Sequence, residues 1–504
     1  MNIKQAKEEI KNTVKAYLQK NDQGNYIIPK IRQRPVLVMG PPGIGKTQIM
    51  EQAARECRIN FVSYTITHHT RQSAVGLPFI VEEEFGGEKY SVTKYTMSEI
   101  IASIYKKIKE TGIDEGILFI DEINCVSETL APTMLQFLQC KTFGNQSVPK
   151  GWVIAAAGNP PEYNKSVRDF DIVTLDRVRV INVEADFKVW KEYARKNYIN
   201  SAIVSYLELR MQNFYRIEAD VDGTKFVTAR GWEDLSNLMD VYNRLDIPVG
   251  EEIISEYIQH EDVAKDVAAY IELYDKYQDD YGIEEILSGH VTPDIYQRLL
   301  NASFDERLSV VNLLLSGLNN RFREVHKEKY ITDGWFMFLK SYKEQDKEYR
   351  TLLAEREKLT DRHSASGFYT REQQEYEKVL NIFLEQYLPD GNMDKDECFE
   401  AARKGFDNQK ERLETAEAEA GKCLENAFDF MEGAFGENDS AARQFLVIFV
   451  TELTLSSDAA EYLVGNECSR YISYCGSMLI GSRKAELLSE LESGALKEQQ
   501  HIGF

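Results

Sequence analysis

The chain reads RPVLVMGPPGIGKT from Arg34 to Thr47, and this stretch decides the fold. A short apolar run precedes the pattern G-x-x-x-x-G-K-T, and a helical pattern follows it. Glycines at these spacings allow a tight turn whose N–H groups face a phosphate, while Lys46 supplies a cation and Thr47 a hydroxyl ligand for Mg²⁺. The start of the helix adds the positive end of its dipole. The stretch therefore predicts a phosphate-binding loop made of Gly40, Pro41, Pro42, Gly43, Ile44, Gly45, Lys46, Thr47 and Gln48.

A second motif, GILFIDEIN over residues 116–124, ends a buried-strand pattern with two adjacent carboxylates. We expect Asp121 to hold Mg²⁺, directly or through water, and Glu122 to polarise a water that attacks the γ-phosphorus. An apolar strand that meets a solvated turn would have the same pattern. The phosphate-binding loop upstream favours the nucleotide interpretation.

Three polar positions follow further along the chain. The apolar run at residues 152–158 ends at Asn159, where a side chain from a neighbouring strand would reach the γ-phosphate. A Leu-Asp-Arg segment then ends at Arg177, and Arg230 opens an amphipathic helix.

In this order the motifs resemble those of AAA+ ATPases and, more narrowly, the MoxR-type group of the helix-2-insert branch, the dynein-related AAA proteins. The resemblance covers about residues 1–300 and is strongest over 35–182. It implies that Asn159 is sensor 1, that Arg177 is an arginine finger given to the neighbouring subunit, and that Arg230 is sensor 2. The implied catalytic residues are Lys46, Glu122, Asn159, Arg177 and Arg230, acting on ATP with Mg²⁺.

Two further segments support the narrower resemblance. Residues 74–92 look like the inserted hairpin of that branch, and residues 129–145 look like its pre-sensor helix and hairpin.

The arginines leave alternatives open. Arg177 also fits a surface salt bridge with Asp176, and Arg168 or Arg179 would serve as the finger if either reached across an interface. Gly231 follows Arg230, so an ordinary helix start with an exposed arginine is a second interpretation there.

Composition sets the limits. The 504 residues, 43% of them hydrophobic, suffice for two or three domains. The net charge of −22 opposes nucleic acid binding, which relies on a basic surface. The sequence contains no run of 18 apolar residues, so no membrane span is predicted. The start of the sequence has no signal-peptide core, and the seven cysteines form no C-x-x-C pair, so we expect a cytoplasmic protein with reduced thiols.

The patterns predict an α/β fold, a doubly wound parallel sheet of the P-loop type, followed by a helical lid and an all-α C-terminal region. The predicted segments are an N-terminal helix and lead-in (1–35), the α/β ATPase core (36–182), the lid (183–300) and the C-terminal helices (301–504). Within them, we expect residues 26–29 to wall the adenine and residues 360–367 to form a polar connector.

These expectations combine into an ATP-hydrolysing ring, of six subunits, that remodels a protein partner. The resemblance to MoxR-type proteins further implies a partner with a von Willebrand factor A domain and a chaperone-like role. A nucleic-acid-linked motor of a restriction or defence system, and an ATP-gated scaffold or switch, are the alternatives.

Overall fold

The computed structural model describes the chain except residues 69–70, 144–145, 164–169, 220–222, 389–393, 437–439 and 478–504. It divides into two compact units. Unit 1 comprises Met1–Trp190, Phe214–Asp234 and Gln345–Lys395, and unit 2 comprises Lys191–Asn213, Leu235–Glu344 and Asp396–Phe504.

All the strands that the described residues form belong to unit 1. They are β1 (Val36–Met39), β2 (Asn60–Thr65), β3 (Pro78–Phe85), β4 (Glu88–Tyr95), β5 (Gly116–Asp121), β6 (Thr142–Phe143), β7 (Gln146–Ser147), β8 (Trp152–Gly158), β9 (Arg179–Asn182), β10 (Arg216–Ala219) and β11 (Thr224–Val227).

Helices make up most of the remaining described chain. The first part of the chain contains α1 (Ile3–Leu18), α2 (Lys46–Glu56), α3 (Arg71–Val75), α4 (Glu99–Thr111), α5 (Ala131–Cys140), α6 (Ile172–Leu175), α7 (Phe187–Lys196), α8 (Ser201–Leu209) and α9 (Ala229–Arg244). The later part contains α10 (Glu251–Tyr257), α11 (Glu261–Tyr281), α12 (Ile283–Leu287), α13 (Pro293–Asn301), α14 (Phe304–Glu344), α15 (Tyr349–Ala365), α16 (Arg371–Glu385), α17 (Lys395–Phe435), α18 (Ser440–Leu455) and α19 (Ser457–Gly465).

Five strands of unit 1 form a parallel sheet in the order β2-β5-β8-β1-β9. In this register Val36 of β1 lies beside Ala155 of β8, and Gly116 of β5 lies beside Trp152 of β8. The carboxyl ends of β5, β8 and β1 therefore meet at one edge of the sheet. Open parallel sheets bind their ligands at this edge, next to the point where the strand order reverses.

Both faces of the sheet are buried because side chains alternate along each strand. On β5, Ile117 and Phe119 join one apolar cluster with residues of α1 and α2. Leu118 and Ile120 join a second cluster with residues of α4 and α5. The doubly wound α/β fold predicted from the sequence is confirmed, and so is the helical character of the chain that follows it.

The helical hairpin of α15 and α16 belongs to unit 1, so the boundary predicted at residue 300 does not separate the two units. α15 packs against α4, and Arg55 Nε at the end of α2 donates to Gly367 O at 2.9 Å. The polar connector predicted at 360–367 is wrong, because α15 continues to Ala365. Its polar residues have partners inside the hairpin: Arg356 pairs with the buried Glu377, which also accepts from the Thr360 hydroxyl at 3.4 Å.

Unit 2 is built around the long helix α14, which contacts α8, α11, α12, α18 and α19. Tyr270 of α11 links two of these helices, since its hydroxyl lies 2.7 Å from Ser205 Oγ and 2.8 Å from Ser309 Oγ. Buried hydroxyls are satisfied here by one another. Among the helices of both units, none that the structure describes is long and apolar enough to cross a membrane.

A nearly buried network of four charges joins α7, α8 and α18 in unit 2. Lys191 Nζ lies 2.8 Å from Glu452 Oε1 and also contacts Glu208. Arg195 lies 3.4 Å from Glu208 Oε1 and pairs with Glu452 as well. The exposed fractions of the four side chains run from 9% to 19%, and burial lowers the pKa of both Lys191 and Arg195. Each buried cation therefore depends on both carboxylates.

Glu208→Ala is expected to lower the free energy of unfolding by about 3–5 kcal/mol, because it leaves two buried cations with a single carboxylate. Chemical denaturation of the full chain measures this, with the exposed Glu256 of α10 replaced by Ala as the control. Equal stabilities for the two variants would show that the network contributes nothing.

Candidate functional site

The predicted site residues lie at or just after the carboxyl ends of three adjacent strands. β1 runs into the loop at residues 40–45, β5 ends at Asp121, and β8 ends one residue before Asn159. Because these strands are neighbours in the sheet, their carboxyl ends bring the loop, the carboxylates and the amide together.

The loop between β1 and α2 is tight, and glycines are required in it. Gly43 and Gly45 adopt φ values of 71° and 91°, in the left-handed region that favours glycine. A Cβ at Gly43 would lie 2.9 Å from Thr228 Cβ, and one at Gly40 would lie 2.7 Å from Val183 O. The loop thus has no room for side chains at these positions. Ile44 is buried beside Gly40 and anchors the loop to the core below.

Lys46 lies in the concavity of this loop at the first turn of α2. Its Nζ donates to Gly40 O, to Pro41 O and to Asn159 Oδ1, each at 2.8 Å. Burial lowers the pKa of Lys46 to about 8, although the negative charge of Asp121 acts in the opposite direction. A desolvated cation among neutral acceptors is stabilised by an anion, so the loop fits a phosphate group.

Asp121 and Thr47 form the second part of the site. Thr47 Oγ1 donates to Asp121 Oδ2 at 2.7 Å, and the backbone N–H of Glu122 donates to Asp121 Oδ1 at 2.9 Å. A hydroxyl and a carboxylate are the hard oxygen ligands that Mg²⁺ prefers. No group of three or more His, Cys, Asp or Glu side chains in the described part of the chain could hold a metal. The pair would hold such an ion with these two oxygen ligands.

Among the residues that the structure describes, Glu122 is one of few non-glycine residues with positive φ, at 55°. The chain leaves β5 in a turn at this residue, and Cys125 N donates to Glu122 O at 2.9 Å. A left-handed glutamate costs conformational free energy, and such strain is concentrated at functional sites. The sequence motif located this residue but gave no sign of its backbone conformation.

Arg230 lies in the first turn of α9, next to the phosphate-binding loop. Its backbone N–H donates to Gly43 O at 3.1 Å, and its side chain is exposed. Two neighbours in the segment 214–234 also reach the loop: Tyr215 donates its hydroxyl proton to Pro42 O at 2.8 Å, and Glu233 lies 3.3 Å from Gln48 Nε2. Sequence reasoning missed Tyr215 and Thr228, because no motif marks them.

The three candidate arginine fingers differ in their surroundings. Arg177 is exposed just after α6, and Arg34 lies 4.0 Å from Asp176 Oδ1. Arg179 is held within the chain by Glu9 and by Thr13 Oγ1, the latter at 2.8 Å. Arg168 lies outside the described residues.

The adenine wall predicted at residues 26–29 is wrong for Tyr26. Its hydroxyl donates to Glu115 Oε1 at 2.8 Å, directly before β5 begins. β5 spans six residues, or about 20 Å, so Tyr26 lies at the opposite edge of the sheet from Asp121. The pairing of Lys20 with Tyr26 holds the lead-in loop there.

Comparison with known proteins identifies the domain. The family model described as ATPase family associated with various cellular activities (AAA) matches residues 36–175. The chain contains an AAA domain. This match supports ATP hydrolysis by the domain.

No curated protein matches the chain. Its structure is similar to three structures of Thermotoga maritima RuvB, each matched over 51% of this chain and 69% of that chain. A Lys-to-Arg mutant has a TM-score of 0.27 at 15% identity, the Holliday junction branch migration motor 0.26 at 15%, and an Arg-to-Ala mutant 0.27 at 14%. The assignment of residues 36–175 to an AAA domain therefore depends on the sequence match alone.

Proposed function

We propose that this AAA domain hydrolyses ATP with Mg²⁺ in a ring of six subunits, and that the ring remodels a protein partner in the manner of MoxR-type ATPases. One observation carries the catalytic part: the half-buried Lys46 ammonium contacts the loop carbonyls and Asn159. The Thr47–Asp121 pair lies at the same edge of the sheet.

Each residue has a distinct role in this proposal. Lys46 and the N–H groups of residues 40–47 bind the phosphates, while Thr47 and Asp121 hold Mg²⁺, which when bound neutralises phosphate charge. Glu122 accepts a proton from the attacking water, and Asn159, 2.8 Å from Lys46, orients that water. Arg230 contacts the nucleotide of its own subunit.

The surface around Arg177 supports a ring. Exposed fractions of 83% for Ile172, 55% for Val173 and 39% for Leu175 place apolar side chains beside this exposed arginine. Apolar side chains around an arginine are typical of the centre of a protein–protein interface. In the proposed ring this surface meets the ATP site of the next subunit, and Arg177 stabilises the charge that develops on the transferred phosphate.

Two hairpins support the MoxR-type assignment. β3 and β4 form a two-stranded hairpin between β2 and α4, with Ile80 75% exposed, and β6 and β7 form a short one after α5. The resemblance to MoxR-type proteins implies an inserted hairpin and a pre-sensor hairpin at these two positions. The partner class to test first is a protein with a von Willebrand factor A domain, because the same resemblance implies one.

Glu122→Gln is expected to lower ATP turnover by about 10²–10⁴-fold while ATP binding is retained, because only the proton acceptor is lost. Steady-state hydrolysis and equilibrium binding of ATP to the purified full chain measure the two effects separately. Glu128→Gln, an exposed glutamate six positions along the chain, is the matched control.

Equal loss of binding and turnover in Glu122→Gln would make Glu122 a structural residue. Stimulation of wild-type hydrolysis tests the partner class: a response to duplex DNA and not to a von Willebrand factor A-domain protein would favour the nucleic-acid motor. If the wild-type chain binds ATP but hydrolyses none of it under any condition, the ATP-gated scaffold or switch would be favoured.

A further inference from the structure

We infer that Asn124 is a positioning residue that fixes the distance between Glu122 and Asn159. This inference rests on the proposed roles of those two residues in handling the attacking water. Asn124 itself is 3% exposed and lies three residues after Asp121, in a position to which the sequence motifs assign no role.

The side chain of Asn124 binds the backbone of Asn159 at two points. Asn124 Nδ2 donates to Asn159 O at 2.8 Å, and Asn159 N donates to Asn124 Oδ1 at 3.3 Å. One amide therefore satisfies both polar groups of a single residue's backbone. An amide side chain can do this because it carries a donor and an acceptor side by side.

These hydrogen bonds continue the contact between the two chain segments beyond the paired residues of β5 and β8. β5 and β8 pair side by side up to Ile120 and Ala156. After the left-handed turn at Glu122, Ile123 N donates to Ala157 O at 2.9 Å. Asn124 then makes the last two hydrogen bonds, so the turn that carries Glu122 stays attached to the strand end that carries Asn159.

Gly158 makes room for this arrangement. A Cβ at Gly158 would lie 2.7 Å from Asn124 Oδ1 and 2.9 Å from Met39 Sδ. Real Cβ atoms do not approach other atoms this closely, so a larger residue would displace the amide. Gly158, at the end of β8, and Asn124, just after β5, thus both contribute to the pair of hydrogen bonds between Asn124 and Asn159.

The functional consequence concerns geometry in the turnover step. Asn159 reaches Lys46 through its side chain, and its backbone is held by Asn124, which is two residues from Glu122. A small misplacement of groups that orient a reacting water slows the reaction strongly without weakening ground-state binding. Loss of Asn124 is therefore expected to affect kcat and to spare ATP affinity.

Asn124→Leu tests this, because leucine keeps nearly the same shape and removes both hydrogen bonds. We expect kcat to fall by about tenfold or more, the size expected from losing buried hydrogen bonds to a group that acts in turnover, with an unchanged Kd for ATP.

Asn60→Leu is the matched control. Asn60 is also a fully buried asparagine of the same sheet, and its Nδ2 donates to Ile113 O at 2.7 Å, but it lies at the amino-terminal end of β2, away from the site. We expect a lower melting temperature and unchanged kcat per folded molecule. If kcat falls as much in Asn60→Leu as in Asn124→Leu, Asn124 has only a structural role.

Gly158→Ala is the second variant, in case Asn124→Leu does not fold. It is expected to lower kcat with an unchanged Kd, and to have little further effect on kcat when combined with Asn124→Ala, because both changes disturb the same pair of bonds. Additive losses, or unchanged kcat in Gly158→Ala, would overturn the inference. If Glu122→Gln blocks turnover while the Asn124 and Gly158 variants remain fully active, the inference fails and the proposed function stands.

Discussion

Replacing Lys46 by Ala is expected to abolish ATP binding and, with it, hydrolysis. The ammonium lies inside the phosphate-binding loop, within 2.8 Å of two of its carbonyl groups. Without this cation the loop loses the positive charge that it offers to the phosphates, and ATP binding is weakened in the ground state as much as in the transition state. Isothermal titration with ATP measures the loss directly.

Lys141 offers a matched control for that experiment. It is 4% exposed, burial lowers its pKa to about 8, and its ammonium also contacts backbone carbonyl groups, those of Lys30 and Gln33. It lies at the end of α5, outside the loop. Lys141→Ala is expected to reduce stability and to leave the Kd for ATP unchanged. Undiminished ATP binding in Lys46→Ala would mean that the nucleotide site lies elsewhere.

Replacing Arg177 by Ala is expected to lower turnover by about 10³–10⁵-fold, the contribution of an arginine supplied to a phosphoryl-transfer site. If the arginine acts on the neighbouring subunit, a mixture of Arg177→Ala and Glu122→Gln chains regains part of the hydrolysis that each has lost. Some interfaces in the mixture combine an intact Glu122 with an intact Arg177. ATPase activity across a series of mixing ratios shows the recovery.

Arg179→Ala is the control for this pair, because Glu9 and Thr13 already hold its guanidinium within the chain. It is expected to keep its turnover. Mixed assemblies that form and show no recovery would argue against Arg177 as the finger, and a loss in Arg179→Ala that recovers on mixing would assign the role to that residue.

The sequence was most informative where function depends on local order along the chain. The loop at residues 40–47 and the Asp121–Glu122 pair are contiguous motifs, and the apolar strands before them fix their place at the sheet edge. This is why the fold class could be predicted from 36–182 alone. The roles of the individual site residues stay predictions until the variants are measured.

Features that depend on distant contacts could not be predicted in this way. The pairing of Asn124 with Asn159 joins residues 35 positions apart, and nothing in either segment marks it. Tyr26 precedes the loop closely in sequence, yet its bond to Glu115 places it at the far edge of the sheet. The polar residues near Thr360 resemble a linker because their partner, Glu377, is supplied by the next helix.

The return of residues 345–395 to unit 1 has a consequence for synthesis on the ribosome. Domains that are continuous in sequence fold in turn as they emerge. Here α4 is made early, but α15, which packs against it, follows more than two hundred residues later. Unit 1 therefore cannot be completed until α15 has been synthesised. The face of α4 that α15 covers stays exposed while the intervening helices are translated. Contacts of such long sequence separation form late and slow folding.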